Sequence, residues 1–265
     1  MNKLKEIEKA LEIKPSKAKK QMIDFIAKKV KNAGANGTVL GLSGGLDSVA
    51  TAYLCAEAID EENVLAVFMP EKGVTDPKNA EDSEKISDEL GINFEKVQIS
   101  PILEKMKDQL NFKEDKLSEA NLKARIRMTI LYYYANVYNY LVVGTSNKSE
   151  LRCGYFTKYG DGAADLLPLG AIYKTQLKKI AEELGVPQNI IEKTPTAGLW
   201  KGQNDEKELG LPYEKIDQIY AGLEIGLNVS EIAAATEIEE SKVEEFKTRE
   251  KNSKHKLRAP SVPEI

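Results

Sequence analysis

Apolar residues recur at helical spacing at Leu4, Ile7 and Leu11, and again at Met22, Ile23, Ile26 and Val30, so residues 1–33 read as helix. Pro15 separates two helices there, because a proline ring inside a helix removes a hydrogen bond and collides with the preceding turn. Gly34 to Gly37 stop the second helix. The pattern then changes. Thr38-Val39-Leu40-Gly41-Leu42 is an apolar run bounded by glycines, too short for a helix, and predicts a buried strand. Asn63 to Met69, Ile92 to Ile99 and Tyr140 to Gly144 are the other strand candidates. Helical stretches lie between them at Leu46 to Ala58, at Asp76 to Leu90 and at Ser118 to Tyr138, where Ser118-Glu119 resembles a capping sequence.

Continuous apolar strands alternating with helices predict an α/β fold, an open twisted parallel sheet with helices on both faces. Thr145 to Asp165 is polar and glycine-rich, Gly170 to Leu184 returns to helix, and Thr194 to Gly210 is a second long loop holding the only tryptophan, Trp200. Long irregular segments in a compact domain usually carry function. Tyr213 to about Lys251 is helical and acidic, and the tail from Asn252 is basic, then proline-rich. One functional domain is expected over 1–265: N-terminal helices at 1–33, the α/β core at 38–210, and a helical cap with a basic tail at 211–265.

Composition narrows the function classes. With 42% apolar and 30% charged residues the chain is ordinary globular material, not a disordered one. Lys and Arg number 38 against 42 Asp and Glu, so the net charge of −4 argues against a dedicated nucleic-acid binder. No apolar run is long enough to span a membrane, and the N-terminus lacks the apolar segment of a signal peptide. Cys55 and Cys153 form no CxxC pair, so neither a disulfide scaffold nor a structural zinc site is expected, and a cytoplasmic location follows.

The strongest local signal is Ser43-Gly44-Gly45-Leu46-Asp47-Ser48, set between a buried strand and a helix. That placement aims backbone N–H groups and a helix dipole at one point, and glycine lets the backbone approach an oxyanion closely. Ser43 and Ser48 add hydroxyl donors. The turn reads as a phosphate cradle, although a tight turn with Asp47 as a helix-start residue has the same spacing. It is neither GxxxxGK[ST] nor GxGxxG, and it contains no lysine. A carboxylate among phosphates needs a cation between them, so Asp47 argues for Mg²⁺.

SGGLDS after a strand resembles the loop of the pyrophosphatase-loop ATPases, which split ATP into AMP and pyrophosphate. Within that group, Gly144 to Glu150, Gly154 to Gly162, Ala164-Asp165-Leu166, Lys174-Thr175-Gln176, Pro195-Thr196-Ala197, Leu199-Trp200 and Gly202-Gln203-Asn204-Asp205-Glu206 look like the NAD synthetase family, from about residue 20 to residue 260. The resemblance implies an adenine-nucleotide α-hydrolase-like, Rossmann-like fold and an amide-forming ligase. ATP adenylates the nicotinate carboxylate of deamido-NAD (nicotinic acid adenine dinucleotide), and ammonia then displaces AMP. With the turn beginning near residue 41, no glutaminase domain is expected before it, so the expected nitrogen source is free ammonia or ammonia borrowed from a partner.

Matching the motifs residue by residue implies ATP contacts at Gly41, Leu42, Ser43, Gly44, Gly45, Leu46, Asp47, Ser48, Thr145, Lys174 and Thr196. It implies Mg²⁺ ligands at Asp47 and Glu150, and catalytic roles for Asp47 and Lys174, the lysine offsetting charge on the leaving pyrophosphate. Deamido-NAD contacts fall at Arg125, Lys158, Asp165, His255 and Lys256. Gly198 stands where many family members have Asp, a departure from the family pattern two residues from Thr196. The family forms homodimers, and the long helix with Tyr132-Tyr133-Tyr134 and Tyr138 is the expected interface element; no nucleic acid or membrane partner is expected.

Two alternatives share the turn. A tRNA-modifying ATPase would need a basic surface, against the −4 charge. A non-catalytic ATP-binding module would not need Asp47 and Glu150 together. Val229 to Lys251 also looks loosely like a helix-turn-helix, but Glu239, Glu240, Glu244 and Glu245 make its second helix too acidic for DNA.

Overall fold

A computed structural model describes residues 2–110 and 115–263; Met1 of the expected N-terminal helices and the last two residues of the expected tail lie outside the described residues. Four parallel strands form one sheet: β1 (Gly37–Gly41), β2 (Val64–Phe68), β3 (Asn93–Lys96) and β4 (Tyr140–Val143), in the order β3-β2-β1-β4. Thr38 pairs with Val64 on one side and Leu141 on the other, so β1 is central. Its side chains alternate, and both faces are covered. Leu40, Ala66 and Val143 face α2 (Pro15–Ala33), α3 (Leu46–Ala58) and α8 (Lys174–Leu184). Val39, Leu65 and Val142 face α5 (Ser100–Gln109) and α6 (Lys116–Tyr138). Double-sided burial explains why β1 and β2 read as unbroken apolar runs.

The remaining helices are α1 (Lys3–Ala10), α4 (Pro77–Leu90), α7 (Lys148–Cys153), α9 (Gln188–Ile191), α10 (Asp205–Leu209), α11 (Tyr213–Glu224), α12 (Val229–Thr236) and α13 (Glu240–Ser253). The last three, with α1, enclose their own core of Ile7, Ile216, Tyr220, Ile232 and Phe246, joined to the α/β part through Cys153 and Tyr173. Among the described residues no helix is long and apolar enough to cross a membrane.

Several boundaries differ from the sequence reading. The cap of α6 is Asp115, whose carboxylate accepts from Ser118 N at 2.8 Å, not the Ser118-Glu119 pair. β3 is shorter than Ile92 to Ile99 because it is an edge strand, paired only with β2 and mostly exposed. Helix α8 begins at Lys174, since residues 167–172 close two successive turns, Gly170 N to Leu167 O and Ile172 N to Leu169 O. The acidic stretch after Tyr213 divides where Gly226 takes φ +86° and Asn228 caps α12.

Candidate active site

Chain order reverses about β1: β2 lies on one side of it and β4 on the other. The loops leaving β1 and β4 therefore meet at the carboxyl edge of the sheet, where open α/β sheets bind ligands. The β1 loop is the glycine-rich turn. Gly44 has φ +74°, and a Cβ there would stand 2.9 Å from Asn79 O, so this position requires glycine twice over. Ser48 Oγ accepts from Ser43 N at 3.1 Å and donates to Gly45 O at 2.9 Å, which folds the turn back on the first turn of α3. Ser43 is exposed, while Leu42, Gly44, Leu46 and Ser48 are buried and Gly41, Gly45 and Asp47 half-buried.

Three charged side chains converge beside the turn. Lys174, at the start of α8, pairs closely with Asp47 Oδ2 and lies 3.8 Å from Glu150 Oε1. The lysine side chain is 4% exposed and the carboxylates 19% and 16%. Burial opposes the Lys174 charge, but Asp47 and Glu150 outweigh it and hold its pKa above the ordinary lysine value. Glu150 titrates well above the usual carboxylate range, first through burial and then through the charge of Asp47, which Lys174 offsets in part. Asp205, the first residue of α10, joins the same field; burial lifts its carboxyl to about 6 despite Lys174 and the bonds from Tyr155 OH (3.1 Å) and Ala197 N (3.0 Å).

Local sequence places these groups. Asn147 caps α7 by accepting from Glu150 N at 3.1 Å, Glu150 Oε2 accepts from Asn147 N at 3.1 Å, and Asn147 Nδ2 reaches Asp47 Oδ1 at 2.7 Å. One asparagine thus closes a capping box and ties the β1 loop to the β4 loop. From α11, the buried Asp217 accepts from Ser149 Oγ, from Thr175 N at 2.9 Å and from Thr175 Oγ1 at 2.7 Å. Ser149 Oγ in turn accepts from Lys174 N at 2.9 Å. The neighbours of Glu150 and Lys174 are therefore clasped by one carboxylate at the N-terminus of α8, where negative charge is favoured.

The other expected residues lie as follows. Thr145 is half-buried just beyond β4, and Thr196 is exposed, its Oγ1 accepting from Gly198 N at 3.1 Å. Arg125 and Lys158 adjoin, Arg125 Nε donating to Lys158 O at 3.2 Å. Asp165 is stitched to the sheet edge: it accepts from Val142 N at 2.8 Å and from Tyr132 OH at 3.0 Å. His255 is exposed in a short 3-10 helix, and Lys256 Nζ donates to Gly154 O at 2.7 Å and Phe156 O at 2.9 Å. Asn147, Asp205 and Asp217 were not singled out as site residues by the sequence reading. The Gly202 to Glu206 motif carried Asp205; no local signal marked Asp217, which acts from 68 positions away from Ser149.

A parallel sheet with its glycine-rich turn at the topological switch, and carboxylates around a buried lysine, define an α/β protein of the Rossmann-like class. Within that class the chain belongs to the NAD synthase family, whose model matches residues 18–260. An NH(3)-dependent NAD(+) synthetase of Methanocaldococcus jannaschii is 48% identical over 91% of this chain and 94% of its own length. Among solved structures, the NMN synthetase of Francisella tularensis superposes with a TM-score of 0.84 at 33% identity, over 96% of this chain and all of its own (100%). The NH3-dependent NAD synthetase of Campylobacter jejuni gives 0.80 at 34% identity over the same 96% and 100%.

Proposed function

We propose that this chain is an ammonia-dependent NAD synthetase, a ligase that forms an amide bond at the expense of ATP. The observation that carries the reading is the meeting of Asp47 and Glu150, from the loops after β1 and β4, around Lys174. Two carboxylates and one ammonium leave a partly buried site with excess negative charge, which is unfavourable unless a further cation joins it. That donor set fits Mg²⁺, with Asp47 and Glu150 as the protein oxygens; when bound, the ion neutralises phosphate charge. Among the described residues no cluster of three or more His, Cys, Asp or Glu is arranged to hold a metal.

In the first step a carboxylate oxygen of nicotinate attacks the α-phosphorus of ATP. The bond to the β-phosphate oxygen breaks and pyrophosphate leaves. Lys174, kept protonated by its carboxylate neighbours, stands by the leaving group, and the turn amides with Ser43 and Ser48 hold the phosphates. In the second step ammonia attacks the acyl carbon, AMP leaves with the bonding pair of the C–O bond, and the nitrogen gives up a proton to become the amide. Thr145 and Thr196 complete the ATP site. Arg125, Lys158, Asp165, His255 and Lys256 receive deamido-NAD, the cations matching its pyrophosphate and carboxylate.

Tyr133, Val137 and Tyr138 expose one apolar face of α6 (66%, 57% and 47%), which we assign to a homodimer interface. Buried free thiols at Cys55 and Cys153 suit the reducing cytoplasm. The test is formation of pyrophosphate and NAD from Mg-ATP, ammonium and deamido-NAD, with glutamine replacing ammonium in parallel. Ammonium-dependent NAD with equimolar pyrophosphate is expected; pyrophosphate without NAD would show that acceptor or nitrogen donor is misassigned. Nicotinic acid mononucleotide is run as a second acceptor, because a solved NMN synthetase resembles the chain as closely as the NAD synthetase does.

A further inference from the structure

The glycine-rich turn contains no lysine, yet one reaches it from 149 positions downstream. Lys193 follows α9. Its ammonium donates to Gly44 O at 2.7 Å, to Asn79 Oδ1 at 2.8 Å and to Asp82 Oδ2 at 2.7 Å. Three donors meet three acceptors, which is the full capacity of an ammonium. One acceptor belongs to the turn and two to α4. The lysine and Asp82 side chains are only 24% and 14% exposed, so solvent screens the pair weakly.

We propose that Lys193 is a positioning residue of the phosphate-binding turn, holding the Gly44 carbonyl and with it the direction of the turn's amides. The inference rests on the nucleotide reading above. A peptide is planar and trans, so a carbonyl held toward Lys193 sends the Gly45 N–H the other way. That N–H finds only a long 3.4 Å bond to Ser43 Oγ, which a phosphate oxygen readily replaces. Glycines at Gly44 and Gly45 leave this peptide free to rotate, so its orientation has to be imposed from outside the turn. The same residue roots the following segment, in which Thr196 lies and Ala197 N meets Asp205. Turn, α4 and that segment are thus joined at one ammonium, whose fixed charge also lies beside the phosphate site.

A latch of purely structural value would depend on the Lys193–Asp82 ion pair alone. Asp82→Asn breaks that pair but keeps the Gly44 bond and the lysine charge; Lys193→Met removes all three, and Lys193→Gln serves if the methionine variant does not fold. Lys193→Met is expected to raise KM for Mg-ATP about tenfold or more, as loss of a charged hydrogen bond does, with KM for deamido-NAD unchanged. Binding of the non-hydrolysable α,β-methylene ATP analogue, measured by calorimetry, is expected to weaken by the same factor. Asp82→Asn is expected to keep both values within about twofold, whatever it does to the melting temperature. Equal effects of the two substitutions on nucleotide binding, or none from Lys193→Met, would overturn the proposal while leaving the enzymatic reading intact. An unmutated chain that binds no Mg-ATP would remove both.

Discussion

Lys174 shows how a buried charge survives. Desolvation works against its ammonium, and Asp47 with Glu150 restores it, so the residue carries its proton through the physiological range. The carboxylates fare differently. Glu150 is destabilised in its ionised form by burial and by Asp47, and Glu150→Gln therefore removes an unfavourable charge. We expect Glu150→Gln to keep or raise the melting temperature at pH 7 while lowering Mg-ATP turnover roughly a hundredfold, and Asp47→Asn to match it in turnover. Turnover equal to the parent's in either variant would take that residue out of the site. Asp205 gives a pH signature. Its carboxyl is raised by burial to about 6, so between about pH 4 and pH 6 the folded chain holds a proton that the unfolded chain has lost. Stability therefore falls as pH rises through that window and is flat above it. Asp205→Asn has no such proton to lose. Its stability relative to the parent is expected to grow across the window by on the order of 2 kcal/mol, read from urea unfolding at pH 4 and pH 7. A difference independent of pH would show that Asp205 is not buried as a charge.

Helix α7 has only six residues, too few to persist on its own, so its place depends on its cap and on α11. Asn147 does two things there, closing the capping box with Glu150 and donating to Asp47. These separate by substitution. Asn147→Ala loses both, and we expect about 1 kcal/mol or more of lost stability together with a higher KM for Mg-ATP. Asn147→Asp keeps an acceptor for Glu150 N but sets a second carboxylate against Asp47, so stability is expected to change less than turnover. If Asn147→Asp retains full turnover, the bond to Asp47 has no part in the site. The element scale is also where sequence and structure agree most and then part. Periodicity located β1, β2 and β4 and the helices α2, α3, α4 and α6 to within a residue or two, because double-sided burial writes an unbroken apolar run and helix packing writes a stripe; it left α5 and α9 unassigned and read the short α7 and α10 as loop. It read Tyr213 to Lys251 as one helical stretch, broken only in the loose helix-turn-helix pattern, and started α8 early, since these boundaries fall at turns set by local hydrogen bonds and at the positive φ of Gly226 and Glu237. The glycine-rich turn pointed to Asp47 and the family resemblance to Glu150 and Lys174, and the fold brings the three together. Both signals were silent on Asp217 and Lys193, because each acts across long stretches of chain on a backbone group or a hydroxyl, and such contacts leave no period and no motif.

For the whole molecule, the charge and the exposed surface bear on assembly together. The net charge of −4 gives two copies a mild mutual repulsion, so a dimer has to be driven by apolar area. In the proposed dimer the exposed face of α6 supplies it, where Tyr134 and Tyr138 stack with ring centroids 6.3 Å apart and Tyr138 meets Tyr140 at 5.5 Å, a preformed aromatic ledge beside Val137. The same helix carries Arg125 and, through Tyr132, holds Asp165, so assembly on α6 would stiffen the proposed deamido-NAD side and leave the Asp47–Lys174 side alone. Light scattering is expected to give twice the chain mass of 29.4 kDa, and Val137→Glu is expected to halve it. In that variant KM for deamido-NAD is expected to rise, while KM for Mg-ATP stays within about twofold, since the two loops of the proposed ATP site belong to one chain. A parent chain that runs at 29.4 kDa would refute the interface, and a Val137→Glu monomer with unchanged KM for both substrates would separate assembly from binding.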